Sequence, residues 1–115
     1  MFTIYHNPRC SKSREALALL QQHSEQVNVI EYLKTPPSEA ELTTLLKKLN
    51  ISARQLLRSK EDEYQQLALD NMSLSEQQLV KAMSQHPKLI ERPIVVHGER
   101  AVIGRPLSNV ESLLS

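Results

Sequence analysis

A chain of 115 residues has room for one hydrophobic core rather than two, and 40% apolar with 23% charged residues excludes a disordered tract. Fourteen basic against thirteen acidic residues leave a net charge of +1, too little to recruit nucleic acid or an anionic membrane, so any anion site must be local. No apolar run reaches the ~20 residues of a membrane span, and Met1-Phe2-Thr3-Ile4-Tyr5-His6 does not read as a signal peptide, so the expected compartment is the cytoplasm.

Phe2 to Tyr5 alternates among β-formers and is closed by Asn7-Pro8, which predicts a short strand running into a loop. From Ser11 to His23 the apolar positions Ala16, Leu17 and Leu20 follow helical spacing. Cys10 therefore falls at a helix N-terminus. Val27 to Leu33 is rich in branched and aromatic residues and stops at Thr35-Pro36-Pro37, so it reads as a second strand, parallel to the first through a helical crossover. Ser38 with Glu41 has capping-box spacing, and Leu42, Leu45, Leu46 and Leu49 form one apolar stripe of the helix that follows. Ser52 is placed to cap a short helix through Leu57. Ser75 with Gln78 opens another, stopped at His86-Pro87. Strand character returns at Pro93-Ile94-Val95-Val96, turns around Gly98 and continues through Ala101-Val102-Ile103, while Val110, Leu113 and Leu114 share one face of a closing helix.

The order βαβ, helices, ββα predicts an α/β chain with a mixed four-stranded sheet, best matched by a thioredoxin-like fold with a helical insertion. The expected divisions of this single domain are 1–35 for the βαβ half, 36–89 for the insertion and 90–115 for the ββα half.

The chain has one cysteine, which cannot close an internal disulfide and stays free in a reducing compartment. A free thiol is mostly protonated near neutral pH, with a reference pKa of about 8.5, and becomes a useful nucleophile only when its thiolate is favoured. A helix N-terminus supplies unpaired N–H groups and the positive end of a dipole, and the same feature attracts a tetrahedral oxyanion. Arg9, Lys12 and Arg14 surround Cys10 in sequence, and His6 ends the preceding strand within reach of the sulfur. Lys12 reads as a solvated surface charge, whereas Ser11 and Arg14, at the loop-to-helix junction, are candidate contacts of a bound anion. Arg92 and Arg105 each precede a proline at the edges of the hairpin, and a planar guanidinium on a fixed backbone suits bidentate binding of an oxyanion. Arg58 has a plainer reading, a cation complementing the C-terminal end of a short helix. No metal site and no bound cofactor are expected.

Taken together, His6-Asn7-Pro8-Arg9-Cys10, Ser13-Arg14, Tyr32-Leu33 with Thr35-Pro36-Pro37, Leu56-Leu57-Arg58, His86-Pro87, Leu89-Ile90, Arg92-Pro93-Ile94-Val95-Val96 and Arg105-Pro106 resemble the glutaredoxin-linked arsenate reductase (ArsC) family. The resemblance implies a thioredoxin-like fold and an enzyme in which Cys10 attacks arsenate or a similar oxyanion. It further implies that Arg58, Arg92 and Arg105 hold the oxyanion and that His6 helps to lower the thiol pKa. Glutathione would be the co-substrate, and glutaredoxin the partner that resolves the mixed disulfide. One departure is that known reductases carry Gly-Thr after the cysteine where this chain has Ser11-Lys12, which leaves the choice among oxyanions open.

Three other readings compete. A transcriptional regulator resembling the Spx proteins needs a C-x-x-C pair, and Ser13 stands at the second position. A non-catalytic relative that only binds a thiol partner would carry an unactivated Cys10. A low-molecular-weight phosphatase would need an arginine six residues after the cysteine, where this chain has Ala16.

Overall fold

The computed structural model describes residues 1–24 and 26–114. In chain order these form β1 (Phe2–His6), α1 (Ser11–His23), β2 (Val27–Glu31), α2 (Glu39–Leu49), α3 (Ala53–Leu56), α4 (Asp62–Gln66), α5 (Glu76–Gln85), a 3-10 turn (Pro87–Leu89), β3 (Ile94–His97), β4 (Arg100–Ile103) and α6 (Ser108–Leu114). Two compact units result, Met1–Thr35 with Arg92–Ser115, and Pro36–Glu91. No helix of the described residues is long and apolar enough to cross a membrane.

In the first unit the sheet order is β2-β1-β3-β4, with β1 parallel to β2 and antiparallel to β3, and β3 antiparallel to β4. This is the mixed four-stranded, thioredoxin-like arrangement expected from the sequence. Strand β1 turns Phe2, Ile4 and His6 to one face because side chains alternate along a strand. Phe2 and Ile4 join Ala16 and Leu20 of α1, Val95 of β3, and Val110 and Leu113 of α6 in a single buried cluster. Each fully buried aliphatic side chain there contributes ~1.5–3 kcal/mol through surface removed from water. His6 shares the face of β1 that meets α1, which aims its ring at the first turn of that helix. Gly98 supplies the left-handed φ of 63° that the two-residue β3–β4 turn asks of its first position.

Strand β2 stops at Glu31, two residues earlier than its composition suggests. The Glu31 carbonyl accepts the N–H groups of Lys34 and Thr35 at 3.0 and 2.9 Å, so the chain closes into a turn where strand pairing would otherwise continue.

Gly104 packs where a side chain would not fit. A Cβ at that position would lie 2.9 Å from Pro93 Cγ and 3.1 Å from Val110 Cγ2, while the Gly104 N–H donates to the Pro93 carbonyl at 2.8 Å. Gly104→Ala is expected to cost ~1–3 kcal/mol, the usual penalty of overpacking. Thermal denaturation would register this as a melting temperature several degrees lower.

In the second unit, reciprocal capping boxes open three helices, Ser38 with Glu41, Ser52 with Gln55, and Ser75 with Gln78. Leu42, Leu45 and Leu46 of α2 and Leu79, Val80, Ala82 and Met83 of α5 are the buried stripes of the two longest of them. Asn50 ends α2 in a left-handed conformation, as a C-terminal cap does. This unit runs to Glu91 rather than to residue 89 because Leu89–Glu91 return to the end of α3. Arg58 N donates to Leu89 O at 2.8 Å, Glu91 N to Leu56 O at 2.9 Å, and Leu57 bridges Ile90.

Candidate active site

Cys10 is the N-cap residue of α1, with extended backbone angles of φ −97° and ψ 121°. Its N–H donates to Asn7 O and its carbonyl accepts from Arg14 N, both at 3.0 Å, so the residue is fixed from both sides. The loop before it is tied internally as well. Asn7 Oδ1 accepts from Arg9 N at 3.0 Å, and Arg14 Nη1 donates to Pro8 O at 2.9 Å. Arg14, a candidate anion contact in the sequence, is therefore also a clamp on the loop. Ser11, the other candidate there, is exposed at the first position of α1, and Lys12 is a surface charge lying 4.0 Å from Glu15.

Cys10 is 8% exposed and is not a member of the apolar cluster formed by Phe2, Ile4 and their neighbours. Burial alone pushes the Cys10 thiol up. Against that, the Ser13 N–H, the charge of Arg92, the Lys12 N–H and a hydrogen bond from Arg92 all favour the anion, and the net result is a pKa below the ordinary thiol value. The thiol closes no side-chain cap hydrogen bond of ordinary geometry, but charge–dipole attraction at a helix start does not require one. No acidic residue occupies the first turn of α1 to oppose it.

Arg105 Nη2 donates to Cys10 Sγ at 3.3 Å, and Arg105 Nε donates to the Arg92 carbonyl at 2.7 Å. Hydrogen-bond geometry thus assigns the sulfur to Arg105, while the pull toward the anion comes first from the Ser13 N–H and next from the charge of Arg92. Both belong to the site, because the Arg105–Arg92 bond ties together the two segments that carry them. The peptide bonds Arg92–Pro93 and Arg105–Pro106 are both cis. The structure therefore brings three of the sequence candidates, Cys10, Arg92 and Arg105, into one cluster.

His6 is placed differently from the expectation of a direct approach to the sulfur. Its Nδ1 lies 2.6 Å from Ser13 Oγ, which also accepts the Asn7 N–H at 3.0 Å. Burial lowers the His6 pKa, Glu31 raises it and Arg14 lowers it, with a net value below that of ordinary histidine, so the ring is neutral at neutral pH. A neutral ring can accept the Ser13 hydroxyl proton, which satisfies a side chain with no exposure at all. His6 and Ser13 thus brace the first turn of α1, whose N–H groups face the sulfur. Ser13 was not among the expected site residues, although a signal was present: it shares the buried stripe of Ala16 and Leu20 at helical spacing, an unusual place for a hydroxyl.

Arg58 lies in the second unit, just after α3. Its Nη1 contacts Glu61 Oε1, and its Nε is 3.9 Å from Glu91 Oε1. The plainer expectation of a helix-end cation gives way to a guanidinium held between two carboxylates.

Comparison with known proteins adds to this geometry. The model of the ArsC family matches residues 5–113. An arsenate reductase of Neisseria meningitidis serogroup A is 48% identical over 112 residues, covering 96% of this chain and 96% of its own length. The Escherichia coli protein YfgD, whose name assigns no activity, is 55% identical over 108 residues, 93% of this chain and 91% of its own. A solved structure of an arsenate reductase from Vibrio cholerae superposes with a TM-score of 0.93 at 48% identity, over 96% of this chain and 95% of that one.

Proposed function

The chain belongs to the ArsC family, and on that premise we propose that it is an arsenate reductase with Cys10 as its nucleophile. The observation that carries this reading is the sulfur itself, set at the start of α1 with N–H groups of Lys12 and Ser13 and the guanidinium groups of Arg92 and Arg105 around it. Such a site favours a thiolate and attracts the oxyanion that the thiolate attacks.

In the first step the Cys10 sulfur displaces one oxygen of arsenate. A sulfur–arsenic bond forms, an arsenic–oxygen bond breaks, and the departing oxygen leaves as water. Arg92 and Arg105 are proposed to bind the equatorial oxygens and to offset the charge that builds on them. Ser11, exposed beside the sulfur in sequence, is a further proposed contact, and Arg58 enters the proposal only through the resemblance of its motif.

Reduction then needs a second thiol. The chain has no other cysteine, so the thiol comes from another molecule, for which we propose glutathione. Its sulfur joins that of Cys10 as a disulfide while arsenic takes up two electrons and departs as arsenite. A dithiol protein of the glutaredoxin class would resolve the mixed disulfide and return Cys10 to the thiolate.

The test is a coupled assay containing purified protein, arsenate, glutathione, glutaredoxin, glutathione reductase and NADPH. Arsenate-dependent NADPH oxidation that stops when either glutathione or glutaredoxin is omitted is the expected result. No NADPH consumption by protein whose Cys10 still alkylates as a thiolate would overturn the reading.

A further inference from the structure

A cavity of about 220 Å³ adjoins the cysteine loop, lined by His6, Pro8, Arg9, Glu31, Leu33 and Lys34 among others. We propose that it binds the thiol co-substrate, a small anionic peptide thiol that carries two carboxylates and one ammonium. The proposal deepens the reading above and rests on it for the identity of the co-substrate.

The lining has the charges such a ligand requires, two cations, Arg9 and Lys34, against the single carboxylate of Glu31. Lys34 Nζ and Glu31 Oε1 are 3.5 Å apart with side chains 78% and 40% exposed. A solvated pair of this kind holds its partners weakly, so Lys34 can turn to a ligand carboxylate while Glu31 takes the ammonium, at little cost. Leu33, 38% exposed, adds apolar surface to the lining. The space equals roughly seven waters at ~30 Å³ each, enough to seat the ionised portion of a short peptide.

Reach is also satisfied. Arg9 lines the cavity and is bonded to Cys10, so their Cα atoms are ~3.8 Å apart, whereas a three-residue peptide extends to ~10 Å. A peptide anchored at Arg9 and Lys34 is therefore long enough to extend past Arg9 to the position of Cys10. Arg92 and Arg105 belong to the segments around β3 and β4, while the cavity draws on the end of β1 and the turn after β2. Because β1 lies between β2 and β3 in the sheet, thiol and oxyanion would be bound by different strands.

The test needs no arsenate. Cys10 is treated with oxidised glutathione, forming a mixed disulfide and releasing one glutathione thiolate, so that one S–S bond breaks, one forms and no net oxidation occurs. Two other disulfides serve as references, neutral bis(2-hydroxyethyl) disulfide and dithiodiglycolate, which has the same net charge as oxidised glutathione but no ammonium. Adduct formation is followed by mass in the wild type and in the double variant Arg9→Gln, Lys34→Gln. The expected outcome is a roughly tenfold slower reaction with oxidised glutathione, a much smaller change with dithiodiglycolate and none with the neutral disulfide. Equal slowing of all three, equal slowing of the two anionic probes, or no slowing would each overturn the site. Failure of the coupled assay alongside the expected preference would remove the arsenate reading and leave this site standing.

Discussion

Cys10→Ser is expected to abolish arsenate turnover, leaving a rate at least ~10³-fold below wild type, with the fold retained. A serine hydroxyl stays protonated at neutral pH and forms no stable bond to arsenic in place of the sulfur. The cost to packing is small, because Cys10 is not a member of the apolar cluster and serine is a favoured residue at a helix N-cap. Stability should nonetheless separate the two proteins as pH rises. The native thiol pKa lies below its unfolded value, so the thiolate stabilises the fold in full above the unfolded pKa of about 8.5. That contribution fades as pH falls through the native pKa. Denaturant midpoints of wild type and Cys10→Ser, compared across pH, should therefore diverge toward alkaline pH, with wild type gaining. A gap that is constant with pH would show that folding does not favour the thiolate.

Arg105→Ala should have the next largest effect, lowering kcat/KM for arsenate by roughly 10²–10³-fold. One substitution removes two contacts, the Nη2 bond to Cys10 Sγ at 3.3 Å and the Nε bond to the Arg92 carbonyl at 2.7 Å. The second loss removes one tie on the segment that carries the other guanidinium, leaving the Gly104 N–H to Pro93 carbonyl bond to hold it. Arg105 is exposed, so the melting temperature should move little. Arg105→Lys keeps the charge but not the fork that serves both acceptors, and should recover only part of the activity. Equal damage to stability and activity would make Arg105 a structural residue instead.

What the sequence disclosed follows from the range of the interactions concerned. Helix α1 was legible from Ser11 to His23 because strand alternation ends at Asn7-Pro8 and an apolar stripe with helical spacing begins soon after. Two capping boxes, Ser38 with Glu41 and Ser75 with Gln78, were legible because both partners lie three residues apart, whereas at the third helix only Ser52 was read as a cap and its partner Gln55 emerged from the structure. Helix α4 was not, since it buries no residue and therefore carries no stripe. The early end of β2 and the return of Leu89–Glu91 to Leu56–Arg58 depend on particular carbonyls finding particular N–H groups, which residue type does not encode.

The site divides in the same way. Cys10 at a helix start is a local feature and could be inferred from the change in periodicity. Arg92 and Arg105 were recognisable as arginines fixed beside prolines, but the contact from Arg105 to a sulfur 95 positions away is a product of the sheet order β2-β1-β3-β4. The nearness of His6 to Cys10 in sequence suggested direct contact. Strand alternation turns the ring to the face that α1 covers, and there it meets Ser13.

The most direct measurement is the rate of Cys10 alkylation as a function of pH, read by mass on the native protein. A single titration with its midpoint clearly below the ~8.5 of an ordinary thiol is expected, moving upward when Arg92 is replaced by alanine. A midpoint at or above ~8.5 in the native protein would mean that burial prevails over the N–H groups and arginines around the sulfur, and Cys10 would not be an activated nucleophile.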